Sequence, residues 1–146
     1  MPRSALSPSK QKHSEKPVKG ASKRKIKVYL DQQIVEAYEG EERIFRFECV
    51  TGDKWGPTER GTYFIGRKHE DYRSQKYKVD MDWCMFFSAD GKAFHQYHEA
   101  MNFDLMRATK RYVSDMVGSR GCVRLREADA KTLFLWTPQR TEVNIS

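Results

Sequence analysis

The 146 residues, 38% hydrophobic and 12% aromatic, suffice for one domain with a sizeable core. The formal charge is +7, yet eight of the 27 basic residues and one of the 20 acidic residues fall within the first 25 positions, leaving nineteen of each sign beyond them. The body is therefore neutral, so the net charge is no argument for a fold that binds nucleic acid, and the basic tail reads either as a solubilising linker or as a contact to an anionic surface.

Residues 1–24 are rich in Ser, Lys and Pro, with too few apolar side chains to offset the entropy of ordering them, so a disordered basic tail is expected there and one domain over 25–146. No apolar run of signal-peptide length occurs near the start, and none long enough for a membrane span occurs anywhere.

From Lys25 the pattern is that of strands. Ile26-Lys27-Val28-Tyr29-Leu30 alternates, Asp31-Gln32-Gln33 turns, and Ile34 to Tyr38 completes a hairpin; Gly40-Glu41-Glu42 turns again into a third strand, Ile44 to Val50. A loop dense in glycine and proline, Thr51 to Thr62, leads into Tyr63-Phe64-Ile65-Gly66. His69, between Lys68 and Glu70, reads as solvated. Trp83 to Ser88 and Ala93 to His98, joined by Ala89-Asp90-Gly91-Lys92, read as another hairpin. One amphipathic helix is expected over Asn102–Val117, where Leu105, Met106, Thr109, Tyr112, Val113 and Met116 recur at helical spacing. Asp129 is placed to cap a short helix through Trp136 that Pro138 ends, and Thr141 to Ile145 closes the chain as a strand.

Gly118-Ser119-Arg120-Gly121-Cys122-Val123-Arg124-Leu125 carries the chemistry. A thiol between two arginines is expected to be acidified into a nucleophile, and the Gly121 and Cys122 N–H groups are placed to stabilise an oxyanion. The bland reading is a small core residue. Three cysteines, Cys49, Cys84 and Cys122, form neither a disulfide framework nor a metal-ligand spacing; Cys49 and Cys84 read as packing residues. A thiol nucleophile needs a base, and His95 and His98 are the candidates, alternation placing them on opposite faces of their strand.

Together, Thr51-Gly52 with Pro57-Thr58 and Gly61-Thr62-Tyr63, then Gly91-Lys92-Ala93-Phe94-His95, then Ser119 to Leu125 resemble the L,D-transpeptidase catalytic domain of the YkuD family, over essentially Lys25 to Ser146. The resemblance implies a mainly β, sandwich-like fold with one or two peripheral helices. It implies Cys122 as nucleophile, His95 as base or imidazolium partner with His98 as second choice, and Gly121 with Cys122 at the oxyanion. Ser119 would hydrogen-bond or orient the histidine, Arg120 would line the site, and Arg124 would position the strand or bind a substrate carboxylate. The implied substrate is a peptidoglycan tetrapeptide stem, attacked at its third-residue carbonyl with release of D-alanine, followed by transfer to an amine of a second stem or a protein lysine, or to water. A periplasmic or cell-envelope location follows from the family, and neither metal nor organic cofactor is implied.

Two departures stand out. Gln96 follows His95 where many members have glycine, and the longer stretch before Cys122 holds the Asn102–Val117 helix, read either as a lid over the acyl site or as a helix packed on the sheet edge. Other readings of the same residues are an exported antibacterial effector, an L,D-carboxypeptidase and a binding module that has lost catalysis.

Overall fold

The computed structural model describes residues 23–76, 78–114 and 116–146; the expected tail lies, up to residue 22, outside the described residues. β1 (Arg24–Tyr29) begins one position before the expected boundary and pairs antiparallel with β2 (Ile34–Glu39), which pairs with β3 (Glu42–Glu48). Gly40, at φ 62°, makes the second turn in a backbone region that glycine enters without steric penalty. The loop through Thr51 and Gly52 leads to β4 (Gly61–Phe64), then a two-residue strand, β5 (Lys68–His69), and the hairpin of β6 (Cys84–Phe86) and β7 (Ala93–Gln96). Helix α1 (Phe103–Tyr112) precedes β8 (Val123–Leu125), and α2 (Glu127–Trp136) precedes β9 (Glu142–Ile145).

The strands form two sheets, ordered β3-β2-β1-β9-β4 and β5-β6-β7-β8. Their inner faces share one apolar core, in which Ile26, Val28, Phe45, Val143 and Ile145 of the first sheet meet Met85, Phe94, Val123 and Leu125 of the second. Leu133 and Trp136 of α2 close it, the Trp136 indole standing edge-on to Phe45 with centroids 6.0 Å apart. This is the expected mainly β fold with two helices.

Local differences have identifiable causes. β5 is too short to show alternation, and it gives His69 ring contacts with Tyr72 and Phe86, so this histidine is half-buried and not solvated. Asp129 does not cap α2: Arg126 holds the N-cap position without a side-chain hydrogen bond, and Asp129 is buried in the first turn. α1 is shorter than expected, Asn102 capping it by accepting from the Leu105 N–H, and Asp115 lies outside the described residues. Cys49 and Cys84 are buried free thiols, in keeping with packing roles.

Candidate active site

The site is built on the parallel pair β7 and β8, in which Phe94 lies opposite Val123 and His95 opposite Arg124. Because side chains alternate across a strand, Phe94, Val123 and Leu125 enter the core, while Ala93, His95, Cys122 and Arg124 share the outer face. His95, Cys122 and Arg124 line one cavity of about 610 Å³, together with Ser119, Arg120 and His98.

Two loops are bonded together beneath the cysteine. The buried Gln33 side chain donates to the Thr51 hydroxyl at 2.7 Å and accepts the Thr51 N–H at 2.9 Å, fixing the start of the Thr51–Thr62 loop. Ser119 N–H then donates to the Thr51 carbonyl at 3.0 Å, and Asp53 N–H to the Ser119 carbonyl at 2.8 Å. Thr58 Oγ accepts the Gly52 N–H at 2.9 Å and donates to the Gly121 carbonyl at 2.8 Å. A Cβ on Gly52 would stand 2.1 Å from the Gly56 carbonyl oxygen and 2.8 Å from the Gly121 nitrogen, so only glycine lets the two backbones meet here. The Thr-Gly and Pro-Thr pieces of the sequence thus position the turn that presents Cys122. Thr58 was not singled out in the sequence, although its motif was.

Ser119 does not orient a histidine. Its hydroxyl donates to the Cys122 carbonyl at 2.6 Å and accepts the Gly121 N–H at 3.2 Å, closing the turn on itself. That occupies one of the two N–H groups expected to meet an oxyanion. Gly121 holds φ at 109°, and a Cβ added there would stand 2.5 Å from Lys92 Cε. Arg120 is exposed at the cavity edge.

His95 is buried, and its Nδ1 lies 2.8 Å from the Gln96 carbonyl oxygen. A carbonyl only accepts, so Nδ1 carries the proton and Nε2 is the basic nitrogen. Gln96, the residue at which the chain departs from the family pattern, therefore holds the ring through its backbone. Burial pushes the His95 pKa down to about 3, against the bond to Gln96, with the Arg124 and His98 charges adding to the fall. The Cys122 thiol is raised, not acidified: burial outweighs the opposing help of the Ala93 backbone N–H, Arg124 and Lys92. The resting pair is a thiol and a neutral imidazole.

His98 does not face away from His95. The strand ends at Gln96, alternation lapses beyond it, and His98 lines the same cavity, its Nε2 3.1 Å from Asp82 Oδ2. Arg124 is almost wholly buried, donating through Nη1 to exposed Glu99 at 2.9 Å and lying 4.9 Å from the Tyr97 ring centroid. Its Nε and Nη2 are buried without a hydrogen-bond partner among the described residues. Glu99, Tyr97 and Asp82 had no signal in the sequence, because each is a partner by folding and not by spacing.

The cavity is also lined by Arg73, Lys76, Lys78 and Asp80, with Arg73 bridged to Asp80. Among the described residues, none of α1 lines this cavity; the helix is held instead against Gln32, Gln33 and Gly52 through Arg107 and Lys110. Among the described residues no group of His, Cys, Asp and Glu is arranged to hold a metal ion, and no helix is long and apolar enough to cross a membrane.

The fold is similar to that of solved L,D-transpeptidases. One from Stackebrandtia nassauensis aligns with a TM-score of 0.71 at 23% identity, covering 92% of this chain and 63% of its own. A C442S mutant of the Enterococcus faecium enzyme gives 0.71 at 19% identity over 85% and 50%, and a Mycobacterium smegmatis L,D-transpeptidase 0.70 at 16% over 87% and 59%. The chain thus spans between half and two thirds of the length of these proteins. No curated protein matches it. The family model for the L,D-transpeptidase catalytic domain matches residues 23–145, and the chain belongs to that family, YkuD.

Proposed function

We propose that the protein is a cysteine L,D-transpeptidase acting on peptidoglycan tetrapeptide stems in the cell envelope. The observation that carries this reading is one cavity lined by Cys122, by His95 with Nε2 as its basic nitrogen, and by a buried guanidinium with two unpartnered nitrogens.

Cys122 Sγ attacks the carbonyl carbon of the third residue while its proton passes to His95 Nε2. The tetrahedral oxyanion forms against the Cys122 N–H; the Gly121 N–H joins it by leaving the Ser119 hydroxyl. Collapse breaks the C–N bond, the His95 proton goes to the departing amine, and D-alanine leaves with a thioester on Cys122. An amine of a second stem, or water, then attacks the thioester, gives its proton to His95 and restores the thiol. Arg124 receives a carboxylate of the donor stem on Nε and Nη2, a bidentate match to guanidinium geometry. The cationic rim of Arg73, Lys76, Lys78 and Arg120 attracts the same anionic peptide.

Mass spectrometry of disaccharide-tetrapeptides incubated with wild type and Cys122→Ala tests this. Loss of D-alanine with a cross-linked dimer and a transient protein adduct, all absent in the variant, is expected. Tripeptide without dimer would make the protein a carboxypeptidase, and turnover by Cys122→Ala would remove the cysteine from the reaction.

A further inference from the structure

Helix α1 turns most of its apolar stripe away from the body. Met106 is its one buried residue, whereas Leu105 is 56% exposed and Tyr112 73%, and the stripe continues past the helix end through Val113 at 80%. Met116 is exposed as well. The inward face is held largely by polar contacts. Arg107 donates to the Gln32 and Gln33 carbonyls and pairs with Glu48 at 3.1 Å, and Lys110 donates to the Gly52 carbonyl at 2.7 Å.

Beside this stripe lies a second cavity, of about 460 Å³, that shares only Asp53 with the cavity of Cys122. Lys54, Arg60, Lys110 and Arg111 line it with two acids, and both acids are engaged. Asp31 pairs with Arg60 at 3.7 Å, and the Asp53 carboxylate accepts the Trp55 and Gly56 N–H groups. Lys54 lies over the exposed Trp55 ring, and Arg111 over the exposed Tyr112 ring.

Leu105, Tyr112, Val113, Met116 and Trp55 are thus exposed, and the cavity that Lys110 and Arg111 of α1 line together with Lys54 is cationic. A protein helix would need the reverse, an apolar groove. Exposed Leu, Val, Met, Tyr and Trp side chains accompanied by lysine and arginine instead match an anionic lipid surface: apolar side chains enter the acyl boundary, aromatic rings sit at headgroup depth, and cations meet phosphate. We propose that α1, Val113, Met116 and the Lys54–Trp55 loop dock the protein on an anionic phospholipid bilayer. This inference is independent of the cysteine chemistry.

Full-length protein is sedimented with vesicles of phosphatidylcholine alone and with about 30% phosphatidylglycerol, at about 0.15 M salt. Selective partition onto the anionic vesicles is expected, with a blue shift of tryptophan emission as Trp55 leaves water. Val113→Glu/Met116→Glu and, separately, Lys54→Glu/Arg111→Glu should each lower partition about tenfold or more, with unchanged thermal transitions and unchanged turnover of soluble muropeptides. Residues 1–22 are present in every variant, so their basic charge adds the same background throughout. Three results would overturn the proposal: no partition; partition that neither double variant reduces; or a dimer in solution that Val113→Glu/Met116→Glu dissolves, which would make a second copy the occupant.

Discussion

Replacing Arg124 with methionine should separate function from stability. The guanidinium is 2% exposed, makes one charge-assisted bond to exposed Glu99, and keeps two buried nitrogens without partners. Each unsatisfied buried donor costs about 1–3 kcal/mol, so the free protein carries roughly 2–6 kcal/mol against one bond of about 1.5–3 kcal/mol. Methionine removes both sides and fills much of the same volume, and Glu99 is left in solvent. Unfolding by urea should therefore show Arg124→Met within about 1 kcal/mol of wild type or more stable.

The opposite is expected of kcat/KM. A carboxylate held bidentately by a buried guanidinium is worth about 2–4 kcal/mol, so D-alanine release from the tetrapeptide should slow by about 30- to 1000-fold. Stems amidated singly, at the terminal carboxylate or on the third residue's side chain, identify which group is read: one amide should be poor for wild type, and Arg124→Met should no longer distinguish it from the acid. A variant that loses more than about 3 kcal/mol yet still discriminates acid from amide as wild type does would make Arg124 a structural residue and refute the reasoning.

Four further outcomes follow from the same geometry. Gly52→Ala should abolish turnover and destabilise the fold by several kcal/mol, on the order of a severe core clash, because the added Cβ meets two backbone atoms; wild-type turnover would show that the loops are not held as described. His95, at about 3, stays neutral from about pH 4 upward and the Cys122 thiol is raised, so kcat/KM should be flat between about pH 5 and 8, and an acid limb near 6.5 would instead report a His95 base at its ordinary pKa, not one lowered by burial. The same shift makes stability fall by up to about 1.4 kcal/mol per pH unit from about 6.5 down to 3, where the unfolded chain binds a proton that the folded one refuses, and His95→Gln should remove that slope in urea titrations. His98→Gln and Asp82→Asn should each slow turnover less than about tenfold, against about a thousandfold or more for His95→Gln; the reverse order would move the base to His98.

The first sheet was legible because local alternation decides it: Ile26 and Val28 point inward, and the Gly40 turn is set by its own backbone preference. The parallel pairing of β7 with β8, which brings His95 and Cys122 together, has no local signal and became legible only through the motifs quoted with it. The helical stripe of α1 is legible as a period, but the direction in which it faces is not. Periodicity says that one side differs from the other; here distant carbonyls at Gln32, Gln33 and Gly52, together with Glu48, gave Arg107 and Lys110 the better inward partners. The two histidines failed by the same kind of omission, since alternation holds only while the strand does, and it stops at Gln96.

The thiol is the case with the widest consequence. Neighbouring charges can be counted in a sequence, but burial cannot, and burial is the larger effect on both Cys122 and His95. Arg124 lowers the thiol and the imidazole together. A substrate carboxylate bound to it would therefore raise both, leaving the difference between them, which sets the energy of moving a proton from sulfur to Nε2, nearly unchanged. An arginine in this position can bind an anion without quenching the nucleophile beside it, which a resting thiolate stabilised by the same guanidinium could not tolerate. Both limbs of the kcat profile should accordingly lie at higher pH than those of kcat/KM, displaced in the same direction; a displacement confined to one limb would show that Arg124 acts on one partner alone.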